Sequence, residues 1–252
     1  MQFQRTPAVC LHKVDFSETS QVLRFFTPES GKIHCIAKGA KRKKSAFLAP
    51  FELLSVYDLI RIEKRPGTLD ILTKAERVRS FTKLRASYPS YVAACYAAEF
   101  VDEFAPEGQL IDGLYEQLIQ ILERLEAGVP ASDAVFSFEA LSFRALGYLP
   151  RLRECGVCRK TASRPDLYFS VRDGGALDPE CRPREERWFP VRRASLESIA
   201  RFSEGDMPKE SMKRPLVVEI RQILDACVRF HLDRELKSAK FLRETIATAG
   251  AL

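Results

Sequence analysis

The sequence predicts an α+β fold, a small closed β-barrel at the front and a helical body behind it. Three observations carry that prediction. Residues 1–80 hold five short runs rich in β-branched and aromatic residues, separated by turn signals. From about residue 85 the apolar residues recur instead at three- and four-residue spacing. Residues 151–193 follow neither period; they are rich in Arg, Pro and Gly and hold three clustered cysteines.

The strands read in order as AVCLHKV, QVLRFFT, GKIHCIAK, FELLSVYDLIRI and LDILTKAERV. Between them stand DFSETS, PESG, a basic segment and KRPGT, each with the residues that turns demand. Five strands in so short a span must hide their edges. A five-stranded barrel of the OB type does so with the least chain, and an SH3-like barrel is the alternative.

The helices follow. YVAACYAAEFVDEF is Ala-rich with one apolar face and ends at the Pro106-Glu107-Gly108 turn. LIDGLYEQLIQILERLEAG carries a stripe of Leu110, Leu114, Leu118, Ile121, Leu122 and Leu125, stopped by Gly128 and Pro130. AVFSFEALSFRALGYLP is helical up to Gly147. After the insertion come SLESIARF and the longer RPLVVEIRQILDACVRFHLDRE, with a last turn or two in KSAKFLRETIATAGAL. The domains expected are therefore a barrel over 1–80 and a helical domain over 81–252, interrupted by a zinc-finger-like insertion at 151–193.

At 252 residues and 46% hydrophobic content the chain can bury two ordinary cores. It has no apolar run of about 18 residues, and its first 16 residues lack the pattern of a signal peptide. A cytoplasmic protein with no membrane partner is expected. Cys10, Cys35, Cys95 and Cys227 sit singly in apolar patterns, as buried reduced thiols do, which suits that compartment.

Net charge is +6, but its distribution is more telling: +7 over residues 1–80, −6 over 81–150 and +5 over 151–252. The basic front concentrates in Lys38, Lys41, Arg42, Lys43 and Lys44, between two strands. A loop or flexible hairpin tip there would project its cations together from a rigid barrel, as a surface for phosphate does. Arg24 and Lys32 extend the patch, and Phe25, Phe26 and Phe47 are candidate stacking platforms for bases. The bland alternative is a solvated loop.

Catalysis finds little support. His12, His34 and His231 are the only histidines, and the last two sit in strand and helix patterns that suit packing. No P-loop, nucleophile elbow, H-E-x-x-H or dinucleotide fingerprint is present. A protein that is not an enzyme is expected.

The cysteine cluster is the second chemical signal. Cys155-Gly156-Val157-Cys158 is half of a zinc knuckle, and its partner half would be another C-x-x-C about 20 residues on. Asp178-Pro179-Glu180-Cys181 stands there, with Asp178 where a cysteine belongs. Two readings follow. One is a structural zinc held by Cys155, Cys158, Asp178 and Cys181; the other is a relic hairpin kept by packing, with help from Tyr168, Phe169 and Trp188. A redox pair is the third use of C-x-x-C, but this motif follows a helix and Leu149-Pro150 rather than opening a helix after a strand.

Taken together, LRFFTPESGKIHCIAKGAKRKKS, FRALGYLPRLRECGVC and RELKSAKFL resemble motifs of the bacterial RecO family of recombination mediators. The resemblance runs through nearly the whole chain. It implies an OB barrel, a helical body and an inserted zinc module. It also implies binding of single- and double-stranded DNA, annealing of complementary strands, and joining with RecR to load RecA onto DNA coated by single-strand-binding protein. The family's basic barrel surface falls on Lys38, Lys41, Arg42, Lys43 and Lys44, and its four zinc cysteines on Cys155, Cys158, Asp178 and Cys181, the Asp being a departure. The family also grips the acidic, apolar C-terminal tail of single-strand-binding protein; Arg234, Lys237 and Lys240, beside the stripe of residues 216–231, are candidates for that grip. The resemblance places the protein in the bacterial cytoplasm, at the nucleoid during repair. An RNA-binding OB protein and a scaffold with a solvated basic loop are the competing readings.

Overall fold

A computed structural model of the chain describes residues 3–42, 45, 47, 50–65, 67–184, 187–207 and 212–249. The chain divides into two compact units, Met1–Gly128 and Val129–Leu252.

The first unit begins with five strands, β1 (Phe3–Asp15), β2 (Gln21–Thr27), β3 (Gly31–Ala37), β4 (Val56–Ile62) and β5 (Asp70–Arg79). They close into a barrel in the order β1-β2-β3-β5-β4. Every pairing is antiparallel except β3 with β5, where Cys35 faces Asp70 and Ile36 faces Ile71. The period-2 signal is clearest in β3: Ile33, Cys35 and Ala37 point inward, while Lys32, His34 and Ile36 are half-exposed. Leu23, Phe25, Phe51, Tyr57, Leu59 and Leu72 complete the barrel core.

Two strand boundaries differ from expectation. β1 starts at Phe3, because its first seven residues find partners in β4, Phe3 opposite Ile62 through Val9 opposite Val56. β4 starts only at Val56, because Leu54 turns the chain with a φ of 63°. The amides of Leu54 and Cys10 then bond the carbonyls of Cys10 and Ser55, at 2.9 and 3.0 Å.

The barrel seam is charged and buried. Arg61 and Asp70 form an ion pair whose side chains are 3% and 10% exposed. Asp70 also accepts the Lys64 amide at 2.9 Å, and Arg61 donates to Ser30 Oγ at 3.0 Å. This pair sits where β5 begins its contact with β3.

Three helices finish the unit: α1 (Thr82–Ala86), α2 (Tyr88–Phe104) and α3 (Leu114–Glu126). Ser87 caps α2, with Pro89 in its first turn, and the small residues Ala93, Ala94, Ala97 and Ala98 are buried along it. Leu114, Leu118, Ile121, Leu122 and Leu125 form the buried stripe of α3. Leu110 does not join it; the chain turns at Gly113 with a φ of 77°, so the helix begins one residue later and Leu110 stays exposed. The Glu126 carboxylate accepts the Leu84 and Lys83 amides at 2.8 and 3.2 Å, tying α3 to the start of α1.

The second unit starts with α4 (Ala131–Ala145), closed by Gly147 at a φ of 73°. A three-stranded antiparallel sheet follows, β6 (Asp166–Ser170), β7 (Gly175–Leu177) and β8 (Phe189–Arg192), in the order β7-β6-β8. The chain ends in α5 (Arg193–Ser203), α6 (Arg214–Leu232) and α7 (Ala239–Ala249), the last longer than the turn or two expected. Inside this unit the fully buried Glu139 of α4 takes both terminal nitrogens of Arg221 of α6 at 2.7 Å. Among the described residues no helix is long and apolar enough to cross a membrane.

Removing one partner of a buried ion pair strands the other in low dielectric. Asp70→Ala should therefore cost about 3–5 kcal/mol of stability, read as a lower urea midpoint. A loss under about 1 kcal/mol would mean that backbone pairing alone holds the seam closed.

Candidate nucleic-acid interface and metal centre

The basic run leaves β3 at Ala37 and turns at once. Gly39 supplies a φ of 73°, and the Arg42 amide closes the turn on the Gly39 carbonyl at 3.1 Å. Lys38, Lys41 and Arg42 are all exposed on it. The turn leans on its neighbour: the Lys41 amide donates to the Thr19 carbonyl at 3.0 Å, in the β1–β2 connection. Lys41 Nζ also pairs with Asp15 Oδ2 at 2.7 Å. That hydrogen bond, with one from Gln21, holds the Asp15 carboxyl below its ordinary range. Lys43 and Lys44 lie outside the described residues.

Arg24 and Lys32 both pair with one acid. Arg24 Nη2 reaches Asp102 Oδ2 of α2 at 3.0 Å, and Lys32 Nζ lies 3.8 Å from Asp102 Oδ1 and donates to the Asp102 carbonyl. Burial lowers the Lys32 ammonium from its usual value, against the pull of Asp102. These two cations tie the barrel wall to a helix of the same unit.

The three rings expected to stack on bases do not face solvent. Phe25 and Phe47 pack in the barrel core, where Phe51 lies 6.1 and 5.3 Å from them. Phe26, 1% exposed, is turned outward against Tyr115 of α3 at 6.4 Å. Period-2 alternation in a barrel sends every second side chain inside, and a covering helix buries others. The histidines behave as packed residues. His34 is half-buried 3.6 Å from Glu107, and His231 stacks on Tyr148 at 4.2 Å; burial lowers both from the usual imidazole value.

The cysteine motif folds as a knuckle. The Cys155 amide donates to the Lys160 carbonyl at 2.8 Å and the Arg159 amide to the Cys155 carbonyl at 3.0 Å, with Arg159 at a φ of 66°. Gly156 is demanded by the fold: a Cβ there would lie 2.1 Å from the Asp173 carbonyl oxygen. The second half turns the same way, with the Cys181 amide donating to the Asp178 carbonyl at 2.9 Å. The sulfurs of Cys155, Cys158 and Cys181 all lie within 4.8 Å of one another. Asp178 Oδ2 is 3.7 Å from Cys158 Sγ.

Three thiols thus converge, a donor set that can hold a soft divalent metal, with the Asp178 carboxylate beside one of them. Burial works against ionising Cys155, but the amides of Asp178, Cys158 and Val157 aimed at its sulfur win and lower its thiol below the usual value. Cys181 is pushed up to about 11 by its hydrogen bond with Cys158. Packing supports the hairpin too: Tyr168 meets Trp188 edge-on at 4.8 Å, and the Arg182 guanidinium lies over both rings, 4.9 and 4.4 Å away. Cys10, Cys35 and Cys227 are buried, and burial raises all three thiols, the first two to about 12; Cys95 is half-buried.

The comparisons with known proteins cover the same ground. The family models described as "Recombination protein O N terminal" and "Recombination protein O C terminal" match residues 1–81 and 85–240. The chain belongs to the RecO family. It is 33% identical over 258 residues to the "DNA repair protein RecO" of Anaeromyxobacter dehalogenans, with all of both chains covered. It is 30% identical to the protein of that name from Symbiobacterium thermophilum, covering 99% of this chain and all of the other. The Dehalococcoides mccartyi protein of that name is 27% identical over 94% of each chain.

The motifs of this RecO-family chain do not reveal a pocket of ≈ 490 Å³ in the second unit. It is lined by Arg172, Arg187 and Arg229 around Val171, Phe189 and Phe230. Arg229 already grips a carboxylate, Glu235 Oε1 at 2.9 Å. The three arginines come from the turn after β6, the approach to β8 and the end of α6, so no sequence spacing reveals them. Along α6 itself, Ile220, Ile223, Leu224, Cys227 and Val228 are buried, so the stripe beside Arg234, Lys237 and Lys240 is core.

Cobalt(II), added to metal-free protein as a probe, should bind one ion per chain with thiolate charge-transfer absorption. Cys181→Ser should abolish much of that absorption. Asp178→Ala should weaken binding by about tenfold or more, the least that even an outer-shell partner is worth. No absorption, with the three thiols shown to be reduced, would leave packing as the only support of the hairpin.

Proposed function

We propose that this chain is a DNA-binding recombination mediator in DNA repair. It would promote annealing of complementary strands and, with RecR, the loading of RecA onto DNA coated by single-strand-binding protein. The observation that carries this reading is the exposed basic turn, Lys38, Lys41 and Arg42 on the end of a closed barrel, in a chain matched by the RecO family models over residues 1–81 and 85–240. Lys43 and Lys44 continue that run in sequence. The functional domains proposed are 1–80 for DNA contact and 81–252 as the helical domain, with 151–193 as its zinc-finger-like insertion. Its location would be the cytoplasm, at the nucleoid during repair.

The physical logic needs no covalent step. Phosphate contacts by a few cations bind single- and double-stranded DNA without regard to sequence, and weaken as salt rises. Such a surface can exchange with another single-strand binder. By neutralising two strands at once it also lowers the repulsion that opposes pairing. Arg24 and Lys32 belong to the same barrel, and we assign them to positioning it through Asp102 rather than to the first phosphates met.

Zinc is the metal proposed for Cys155, Cys158, Cys181 and Asp178, since thiolates with one oxygen donor in a structural hairpin suit it. It would fix the insertion in place; the proposed function routes no chemistry through it. The acidic, apolar tail of single-strand-binding protein would fit the pocket of Arg172, Arg187 and Arg229. Arginines there can take its carboxylates, Arg229 by exchanging Glu235, while Phe189 and Phe230 take its apolar end.

The test is annealing of two complementary oligonucleotides coated with single-strand-binding protein. This chain should accelerate it, and no acceleration by folded, DNA-bound protein would overturn the mediator reading. In direct titrations of single-stranded DNA, the double variant Lys38→Ala/Arg42→Ala should flatten the log–log salt dependence by about 1.4, or about 0.7 for each phosphate no longer neutralised. An unaltered slope would move the DNA surface off this turn. A labelled peptide copying the tail should bind the wild type, and Arg229→Ala/Phe230→Ala should weaken it about tenfold or more. Equal binding would remove the pocket assignment.

A further inference from the structure

We propose that Phe16 is the ring on which single-stranded DNA stacks a base, beside the phosphate contacts of Lys38 and Arg42. This rests on the reading of the basic turn as a DNA surface and adds to it a residue that reads bases rather than charge.

Phe16 follows the last residue of β1 and is 64% exposed. Phe3, at the other end of β1, is also exposed, but it pairs at the far end of the barrel wall, opposite Ile62. Phe25, Phe26, Phe47, Phe51 and Tyr57 are all buried. Among the described residues, then, Phe16 is the open aromatic ring at the end of the barrel that carries the basic turn.

The ring stands on a stiff support. The Phe16 amide bonds the Ser20 carbonyl at 3.0 Å, and Ser17 Oγ accepts the amides of Ser20 and Thr19 at 3.1 and 3.4 Å. Both neighbours of this turn reach the basic turn: Asp15 through its carboxylate to Lys41 Nζ, and Thr19 through its carbonyl to the Lys41 amide. Lys41 therefore works as the brace between ring and cations. Val14, half exposed on the same strand end, widens the apolar face.

The charges of the two turns sort the parts of a nucleotide. Glu18 and Asp15 are exposed in the turn that carries Phe16, Asp15 paired with Lys41, while Lys38 and Arg42 are exposed on the neighbouring turn that would attract phosphate. A strand lying across both would set its backbone on the cations and a base against the ring. Stacking is tolerant of sequence, because every base has a π-face. It is also selective for single strands, since the faces of paired bases are already covered by their neighbours in the duplex. The turn gives the barrel a means of preferring unpaired DNA that its cations alone do not supply.

The experiment compares wild type, Phe16→Ala and Phe16→Trp on an oligo-dT strand and on a duplex of equal length, each across a salt series. Phe16→Ala should weaken single-strand binding by roughly 5- to 150-fold, the range of one lost base stack, with its salt slope and its duplex affinity unchanged. Phe16→Trp should restore binding and show emission quenched by oligo-dT beyond any change of Trp188 in the wild type. Equal single-strand affinity of Phe16→Ala and wild type would overturn the stacking role while leaving the cationic surface intact. So would a loss of single-strand and duplex binding together, which marks a residue that only supports the turn. Failure of the wild type itself to bind either DNA would overturn the DNA reading and, with it, this proposal.

Discussion

The front of this molecule depends on where the barrel closes. Four of its five strand pairings are antiparallel, but β3 meets β5 in parallel, with the whole of β4 between them in sequence. Only two residue pairs make that contact, Cys35 with Asp70 and Ile36 with Ile71. So short a seam gains little from backbone hydrogen bonds alone. The buried Arg61–Asp70 pair reinforces it, with Asp70 also holding the Lys64 amide and Arg61 reaching Ser30 in the β2–β3 turn. Closure fixes the end of β3, and the end of β3 is where the basic turn leaves the barrel.

Charge is used in two ways in the same unit. Where a cation and an acid are both shielded, as in Arg61–Asp70 or Lys32–Asp102, the pair specifies geometry, because either partner alone would be stranded. Where they are exposed, as in Lys41–Asp15, the pair adds little stability and instead aligns two turns. Lys38 and Arg42 then stand in solvent, where binding a phosphate releases counterions without a prior desolvation cost to recover. The second unit repeats the shielded pattern with Glu139 and Arg221.

What could be read from the sequence was whatever repeats along the chain. The alternation of GKIHCIA gave strand, inward face and turn, and the C-x-x-C with its D-x-x-C gave a cluster whose sulfurs do converge. Even Asp178, out of place by composition, lies beside Cys158 as its position in the motif requires. What could not be read was whatever distant segments build together. Period-2 alternation marks Phe25 as inward but cannot say that α3 covers Phe26, so an outward ring looked available when it was not. Nor does any spacing announce that Arg172, Arg187 and Arg229 line one pocket. DFSETS reads as a turn, but its carboxylate and carbonyl contacts to Lys41 are tertiary, and no spacing reveals that the ring it carries stands near the basic turn.

The pairing of cations with acids also bears on how tightly such a surface should hold DNA. Of the seven cations named at the barrel, Arg24 and Lys32 are held by Asp102 and Lys41 by Asp15, and Lys43 and Lys44 fall outside the described residues. If all seven met phosphate, affinity would be high at low salt and release slow. The mediator proposed above, which would pass DNA to another protein, gains nothing from that. Acids that take part of the cationic charge for architecture leave a smaller number for phosphate, and the salt dependence falls with that number. Any selectivity the proposed surface has for unpaired strands would then come from something other than charge, since a duplex carries more phosphate per unit length than a single strand. An exposed ring beside few cations meets that requirement better than more cations would.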